Sequence, residues 1–280
     1  FFVDGYEYTI YTRSEETVGI EINVKYTYDT EECLERQEEI RKAAEDIIYF
    51  APDDGDDYDK IKYVYETVIF NTDYDMDAED NQNIYSVFVG NTSVCQGYAK
   101  ATQYLLNSMG IESTIVYGRV RGGELHSWNL VKSGGDYYHL DTTWGDASYT
   151  ADEEEVDLGD VPEINYDYLC VTTKQIATTH DIVEVVELPV CKAQTDNYYI
   201  REGNYFYEFD EEQLENEFME AVESGTDTVA LKCDNEEVYH EFYTELVENQ
   251  GVFDYLYDDY EKVAFAENED QLTLTFWMTK

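Results

Sequence analysis

The sequence predicts an α+β fold for this chain of 280 residues, and three observations indicate it. Residues 6–11 and 18–28 alternate between apolar and polar side chains, as half-buried strands do, and a charged amphipathic helix follows at 30–48. Two strand-like runs between residues 125 and 143 flank a Gly-Gly pair, which predicts a hairpin. In the last third of the chain, helical and strand-like patterns interleave, as is typical of a small α+β domain.

The order of these patterns divides the chain into three predicted parts. Residues 1–54 form a strand and helix extension, 55–192 a catalytic domain, and 193–280 a small α+β domain of unknown role. An acidic break with Pro and Gly at 51–59 separates the first two parts. The second part opens with a helix at 60–71, whose apolar stripe is Ile61, Val64, Tyr65, Val68 and Ile69.

The third part contains no catalytic constellation that we can identify. Its patterns predict strands at 198–209, 228–233, 262–266 and 271–278, with helices at 211–224 and 236–248. Before it, the acidic run at 151–160 predicts a solvated loop.

A third helix is predicted to begin beside a cysteine. Ser93 and Gln96 fit a capping box, which would place Cys95 in the first turn, at the second helical position. Gly110 stands where the helix should end. Gly97 is a poor helix former, and we expect its small size to let a substrate backbone approach the sulfur. The inward face is predicted at Tyr98, Ala101, Thr102, Leu105 and Met109.

The position of Cys95 favours a reactive thiolate. A helix N-terminus lowers a thiol pKa, because its unpaired N–H groups and its dipole favour negative charge. A lone cysteine is more often a buried structural residue. The histidine and aspartate that follow, His126 and Asp141, favour the catalytic interpretation, because a thiol nucleophile needs a base and a carboxylate that orients the base.

The length of the hairpin loop decides whether His126 and Asp141 can meet. A two-residue loop at Gly134-Gly135 sets Trp128 opposite Asp141 and His126 diagonal to it, whereas a four-residue loop sets His126 directly opposite. A three-residue loop would place the two side chains on opposite faces of the ribbon. A catalytic pair therefore requires an even loop or a bulge that restores the parity.

Another histidine competes for the role of base. His139 shares a face with Asp141, although a satisfied structural residue is its commoner fate. Trp128 and Trp144 are predicted to be walls of the site, because their bulk would exclude water and hold the imidazole.

Three runs of sequence resemble the transglutaminase-like superfamily, and in particular its bacterial branch. They are Val94-Cys95-Gln96-Gly97-Tyr98-Ala99, His126-Ser127-Trp128-Asn129-Leu130-Val131 and Tyr138-His139-Leu140-Asp141-Thr142-Thr143-Trp144. Further similarity around Asn71–Asp75, Gln82–Tyr85, Tyr168–Thr173 and Thr179-His180 extends the resemblance over residues 55–190.

The resemblance implies a papain-like core, in which a helix that carries the cysteine packs on an antiparallel sheet. It also implies Cys95 as nucleophile, His126 as base and Asp141 as its orienter. The family pattern has glycine where this chain has Ser93. The Cys95 backbone N–H is the natural first oxyanion donor, and the Gln82 side chain is a candidate for the second.

By the same resemblance, the chain is predicted to transfer acyl groups from peptide or protein amides through a thioester, as a protease, an amidase or a transglutaminase. The alternative is a cell-surface binding or scaffold module that keeps the fold without useful turnover, since fold does not establish catalysis. A third possibility is an amidase that releases glycans from asparagine.

Charge restricts the partners. The net charge is −47, yet residues 81–150 carry four basic and five acidic side chains, so the acidity lies in the flanks. Nucleic acid and anionic membranes are therefore poor partners, and no run is long and apolar enough to insert into a membrane. We expect a peptide or protein substrate, such as a cell-wall or surface protein.

No cofactor is predicted. The acidic runs at 53–57 and 73–77 lack the glycine and glutamate of an EF-hand, and no Cys or His pair has zinc-ligand spacing. A disulfide among the four cysteines other than Cys95 stays open. The chain opens on Phe1 rather than Met, so we expect a mature or trimmed form. By resemblance, its location is the exterior or envelope of a Gram-positive bacterium.

Overall fold

The protein is described by a computed structural model that covers residues 2–146, 162–183, 186–256, 260 and 262–279. The acidic loop predicted at 151–160 lies outside these residues. Within them, helices and largely antiparallel sheets confirm the α+β prediction. The three predicted domain boundaries stay a prediction. No helix in the described ranges has both the length and the apolarity needed to cross a bilayer.

The strands are β1 (Val3–Arg13), β2 (Glu16–Tyr26), β3 (Asp73–Tyr74), β4 (Thr92–Ser93), β5 (Ser113–Val120), β6 (Leu125–Ser133), β7 (Asp136–Leu140), β8 (His180–Ile182), β9 (Tyr205–Phe206), β10 (Thr228–Cys233), β11 (Lys262–Asn268) and β12 (Thr273–Thr279). The α-helices are α1 (Thr30–Tyr49), α2 (Asp57–Phe70), α3 (Cys95–Ser108), α4 (Thr173–Ile176), α5 (Tyr198–Glu202), α6 (Glu211–Ser224) and α7 (Glu236–Tyr243). Single 3₁₀ or π turns lie at Ser86–Gly90, Tyr166–Tyr168, Thr244–Glu248 and Gly251–Tyr255.

The first two strands pair with each other as an antiparallel ribbon, β1–β2. The two strands predicted from the alternation are present, and one face of the ribbon is apolar, with all six of its side chains exposed. The pattern specified the strands, but burial requires a packing partner, and the described residues supply none for this face. Its members are Tyr6, Tyr8, Ile10, Ile20, Ile22 and Val24.

Acidic residues begin the first two helices. Asp29 caps α1, and its side chain accepts the N–H of Glu32. Asp56 caps α2 in a reciprocal capping box with Asp59. Part of the acidic break at 51–59 thus stabilises a helix end, where carboxylates are favoured.

Helix α3 begins one residue later than the capping box predicted. Val94 is the N-cap and makes no side-chain cap, so Cys95 is the first helical residue and not the second. The predicted cap was wrong because Ser93 is buried, and its hydroxyl instead donates to the Asn81 carbonyl at 2.8 Å. At the other end, Gly110 takes a φ of +83° just past the helix, as predicted.

The central antiparallel sheet has the strand order β7-β6-β5-β8. Gly134 and Gly135 both have positive φ, and Ser133 pairs with Asp136, so the hairpin loop has two residues. Pairing of β6 with β7 ends at Leu140, and the chain then turns. This is the even-loop register that keeps His126 and Asp141 on one side.

A continuous apolar core joins α1, α2 and α3 to the hairpin strands. Ile40 from α1, Ile61 and Tyr65 from α2, Leu105 from α3 and Val131 from β6 belong to one buried cluster. Because α3 packs on this core and on β6, the core determines where its N-terminus lies.

The last part of the chain forms its own sheet, in the order β11-β12-β10-β9, with a separate apolar cluster. The predicted strand at 198–209 was wrong. Asn197 caps a short helix there, α5, and Gly203 ends it with a φ of +93°, so only β9 remains of the strand. The other predicted strands and helices of this part are present, with the second helix passing into a π turn.

Candidate active site

The Cys95 thiol lies half-buried at the first position of α3. Burial raises the pKa of this thiol. The hydrogen bond and charge of His126, together with the backbone N–H of Ser127, lower it by more than burial raises it, so the pKa lies below the ordinary thiol value. The N-terminal N–H groups of α3 also favour a negative sulfur. The surroundings are therefore those of a thiolate nucleophile.

His126 connects the thiol to a buried carboxylate. Its Nε2 lies 2.7 Å from Oδ2 of Asp141, which leaves Nδ1 as the nitrogen available to the sulfur. Burial lowers the pKa of His126, but the charges of Asp141 and Cys95 outweigh this and raise it to about 10. A thiolate and an imidazolium therefore stabilise each other here.

Asp141 is completely buried and fully hydrogen-bonded. Its Oδ1 accepts the backbone N–H groups of Thr143 at 3.0 Å and Trp144 at 3.2 Å, where the chain turns after β7. Burial raises the pKa of this carboxyl, but His126 and His180 lower it by more. The pKa of Asp141 therefore lies well below its usual range, and the carboxyl is ionised. The buried negative charge is compensated by donors on both oxygens.

A second histidine, His180, shares this carboxylate. Its Nε2 lies 3.0 Å from the same Oδ2 that contacts His126, and its side chain has 0% exposure. In the sequence, Thr179-His180 is part of the resemblance only, and no role was predicted for it. The contact depends on the pairing of β8 with β5, which local patterns do not reveal.

Two tryptophans line the imidazoles. The Trp128 ring stacks on His126 with 6.0 Å between ring centroids, and the half-buried Trp144 approaches edge-on at 6.4 Å. These positions suit the predicted walls, since the indoles exclude water from the pair.

The competing histidine has other partners. Nδ1 of His139 accepts the Trp128 indole N–H at 3.1 Å, and its Nε2 lies 3.1 Å from the Thr173 hydroxyl. Burial lowers its pKa to about 4, so it is neutral. In this geometry His139 fixes a wall of the site, whereas His126 contacts the carboxylate.

Part of the chain is similar to a known family of proteins. Residues 44–142 match the model of the transglutaminase-like superfamily. The similarity to this superfamily is therefore confined to about a third of the chain. The matched segment contains Cys95, His126 and Asp141, and it ends before His180.

Solved structures with similar folds are distant. One described as the crystal structure of a TGase has 16% identity and a TM-score of 0.37, with 55% of this chain and 47% of that chain covered. A "Putative Cysteine Protease from Cytophaga hutchinsonii" has 16% identity and a TM-score of 0.34, with 37% of each chain covered. This chain thus spans less than half the length of either. No curated protein matches.

Two sequence predictions near Cys95 in the transglutaminase-like domain fare differently. The Gln82 side chain is exposed, while its backbone carbonyl accepts from Lys100 at 2.8 Å, so its oxyanion role stays a prediction. The interpretation of Gly97 was wrong. A Cβ there would lie 1.9 Å from the Ser93 hydroxyl oxygen, so glycine is required for the packing of the helix start and not for substrate approach.

Three side chains of the site have the donor atoms that a metal ion would need. His126, Asp141 and His180 place ligand atoms within 4.8 Å of one another. However, the 2.7 and 3.0 Å contacts to Oδ2 have the lengths of hydrogen bonds. We therefore interpret the cluster as a hydrogen-bond network in which both imidazoles contact one carboxylate oxygen.

A cavity of about 890 Å³ adjoins the Trp144 wall, between the transglutaminase-like domain and the last sheet. Among the described residues, its lining carries seven carboxylates and one cation, Arg121, which is paired with Asp270 at 2.6 Å. Burial and neighbouring Glu220 raise the pKa of Glu217 in this lining to about 7. Such a cavity favours positively charged groups.

Proposed function

We propose that this chain is a cysteine-dependent acyl-transfer enzyme that acts on peptide or protein amides through a thioester. The observation that carries the proposal is the chain of contacts from half-buried Cys95 through His126 to Asp141, with the thiol pKa lowered and the imidazole pKa raised to about 10. A nucleophile, a base and an orienting carboxylate in hydrogen-bonded sequence are what thiol catalysis requires.

The first half of the reaction makes the thioester. The Cys95 thiolate attacks the amide carbonyl carbon, and the carbonyl π electrons move to the oxygen. When the tetrahedral species collapses, the C–N bond breaks and the amine leaves with the proton of the His126 imidazolium. The backbone N–H of Cys95 is the first proposed oxyanion donor, and Gln82 is a candidate for the second.

The second half regenerates the thiol. Neutral His126 takes a proton from water or from an amine, which attacks the thioester carbon, and the C–S bond breaks to release the Cys95 thiolate. Asp141 holds the ring and balances its positive charge in both halves. Water gives hydrolysis and an amine gives transfer; we favour protease or amidase activity.

For partners, we propose a peptide or protein substrate with basic groups near the scissile amide. The acidic lining of the cavity beside Trp144 supports this preference. A cell-wall or surface protein at the exterior of a Gram-positive bacterium is the proposed setting. Nucleic acid and membrane insertion are not part of the proposal.

The experiment compares wild type with Cys95→Ala on a peptide library that includes glycopeptides, with and without added amine. Ammonia or an amine fragment leaves in both cases, so a new carboxylic acid in its place indicates hydrolysis, and a new amide to the added amine indicates transfer; both products should depend on Cys95. Cys33→Ala is the matched control, because that half-buried thiol lies on α1. If wild type gives no product that Cys95→Ala lacks, the enzyme proposal is wrong.

A binding module without turnover is the second candidate, and the exposed apolar face of the β1–β2 ribbon favours it. Exposed contiguous apolar surface commonly marks an interaction site. A protein that gives no product, and whose Cys95 reacts with iodoacetamide no faster than its other thiols, would support this candidate.

A further inference from the structure

We propose that His180 is a positioning residue, whose Nε2–H donates to the oxygen of Asp141 that also contacts His126 and so fixes the carboxylate for catalysis. The inference rests on the proposed function. It concerns a residue outside the segment matched by the superfamily, 44–142.

The hydrogen bonds of Asp141 carry the argument. An ionised carboxylate offers about four acceptor sites. Two are filled by the backbone N–H groups of Thr143 and Trp144 on Oδ1, and two by His126 and His180 on Oδ2. Without His180, one lone pair of a completely buried anion would have no donor, and the carboxylate could rotate away from His126.

The neighbour of His180 selects the tautomer that this role needs. Nε2 faces a carboxylate, so it must carry a proton. Nδ1 lies 2.8 Å from the Thr179 hydroxyl oxygen, which can donate to it. The competing contact of that hydroxyl, with the Ile176 carbonyl, is longer at 3.4 Å. A ring that carries a proton on Nε2 and accepts at Nδ1 satisfies all of these contacts.

Packing holds the His180 ring in this orientation. Its centroid lies 4.8 Å from that of Trp144 and 5.0 Å from that of Trp128. The same two indoles contact His126, whose ring centroid is 5.3 Å from that of His180. One aromatic enclosure therefore holds both imidazoles against a single oxygen atom.

The alternative is that His180 only fills space, and two variants separate the roles. In His180→Gln, the amide nitrogen can reach the position of Nε2 and keep a donor. In His180→Phe, the ring volume is kept and the donor is lost. If His180 acts as a donor, the His180→Gln variant should resemble wild type and the His180→Phe variant should not. If His180 only fills space, the His180→Phe variant should resemble wild type and the His180→Gln variant should not.

The measurement is the second-order rate of Cys95 alkylation by iodoacetamide at pH 7, followed by mass spectrometry on folded protein. We expect His180→Phe to be about tenfold slower than wild type, since a hydrogen bond to a charged group is worth about that factor or more. His180→Gln should stay within about threefold. Thermal unfolding verifies that both variants fold.

The outcomes distinguish this inference from the proposed function, because alkylation needs no substrate. If wild-type Cys95 reacts no faster than Cys33, the proposed function itself fails. If wild-type Cys95 is fast and the Phe variant matches it, only the role of His180 is overturned. A Gln variant as slow as Phe would also overturn the donor role.

Discussion

Two thiols of the chain, Cys95 and Cys170, differ in what surrounds them. Cys170 is completely buried, and burial together with Asp196 raises its pKa well above the ordinary value. Cys95 is also desolvated, yet its pKa is lowered, because His126 and the Ser127 N–H stabilise the thiolate. Desolvation alone makes a thiol inert, and donors aimed at the sulfur reverse its effect.

The largest expected effect on the reactivity of Cys95 is that of Asp141→Asn. The amide cannot balance an imidazolium, and it can donate to Nε2 and so force the wrong His126 tautomer. We expect acyl transfer to fall by about 10³- to 10⁴-fold, by analogy with the same change in serine protease triads. Steady-state rates measure the loss, and Asp146→Asn is the control, because that carboxylate contacts Tyr98 instead. Equal activity of the two variants would contradict the role of Asp141.

The pH dependence tests the same contrast without mutation. The Cys95 thiolate is present above its lowered pKa and is lost as the pH falls through that value. Protonated His126 is lost as the pH rises through about 10. Acyl transfer should therefore show a plateau from below the ordinary thiol pKa up to about pH 10.

Site-resolved alkylation supplies the matching control. Burial raises the pKa of Cys191 to about 11 and of Cys233 to about 12, so their labelling should require more alkaline pH than that of Cys95. Mass spectrometry of peptides labelled between pH 5 and 11 would separate them. Labelling of all three thiols over one common pH range would contradict the lowered pKa of Cys95, on which the proposal depends.

The sequence left two hairpin loops that could bring His126 and Asp141 together, of two or of four residues, and did not choose between them. In the structure Gly134 and Gly135 take positive φ and the loop has two residues, and this length sets which side chains share a face. The resemblance selected His126 over His139, and the geometry places His126 on the carboxylate.

What could not be predicted depends on contacts between distant segments. His180 reaches Asp141 only after β8 joins the far edge of the sheet. The ribbon pattern revealed strands but could not reveal whether anything covers them. By contrast, the missed helix α5 had a readable signal, since Asn197 and Gly203 stand where a cap and a helix end belong.

The smallest effect we predict concerns how rigidly the Cys95 end of α3 is held. In Gly97→Ala, the added methyl would meet the Ser93 hydroxyl at 1.9 Å and the Asn81 carbonyl at 3.0 Å. Overpacking of this kind costs about 1–3 kcal/mol of unfolding free energy. Gly5→Ala is the matched control, because a Cβ there meets nothing within 4 Å. Equal stability of the two variants in urea unfolding would contradict this prediction. It would mean that the start of α3 adjusts to the added methyl, so that tight packing there is not what orients the thiol toward His126.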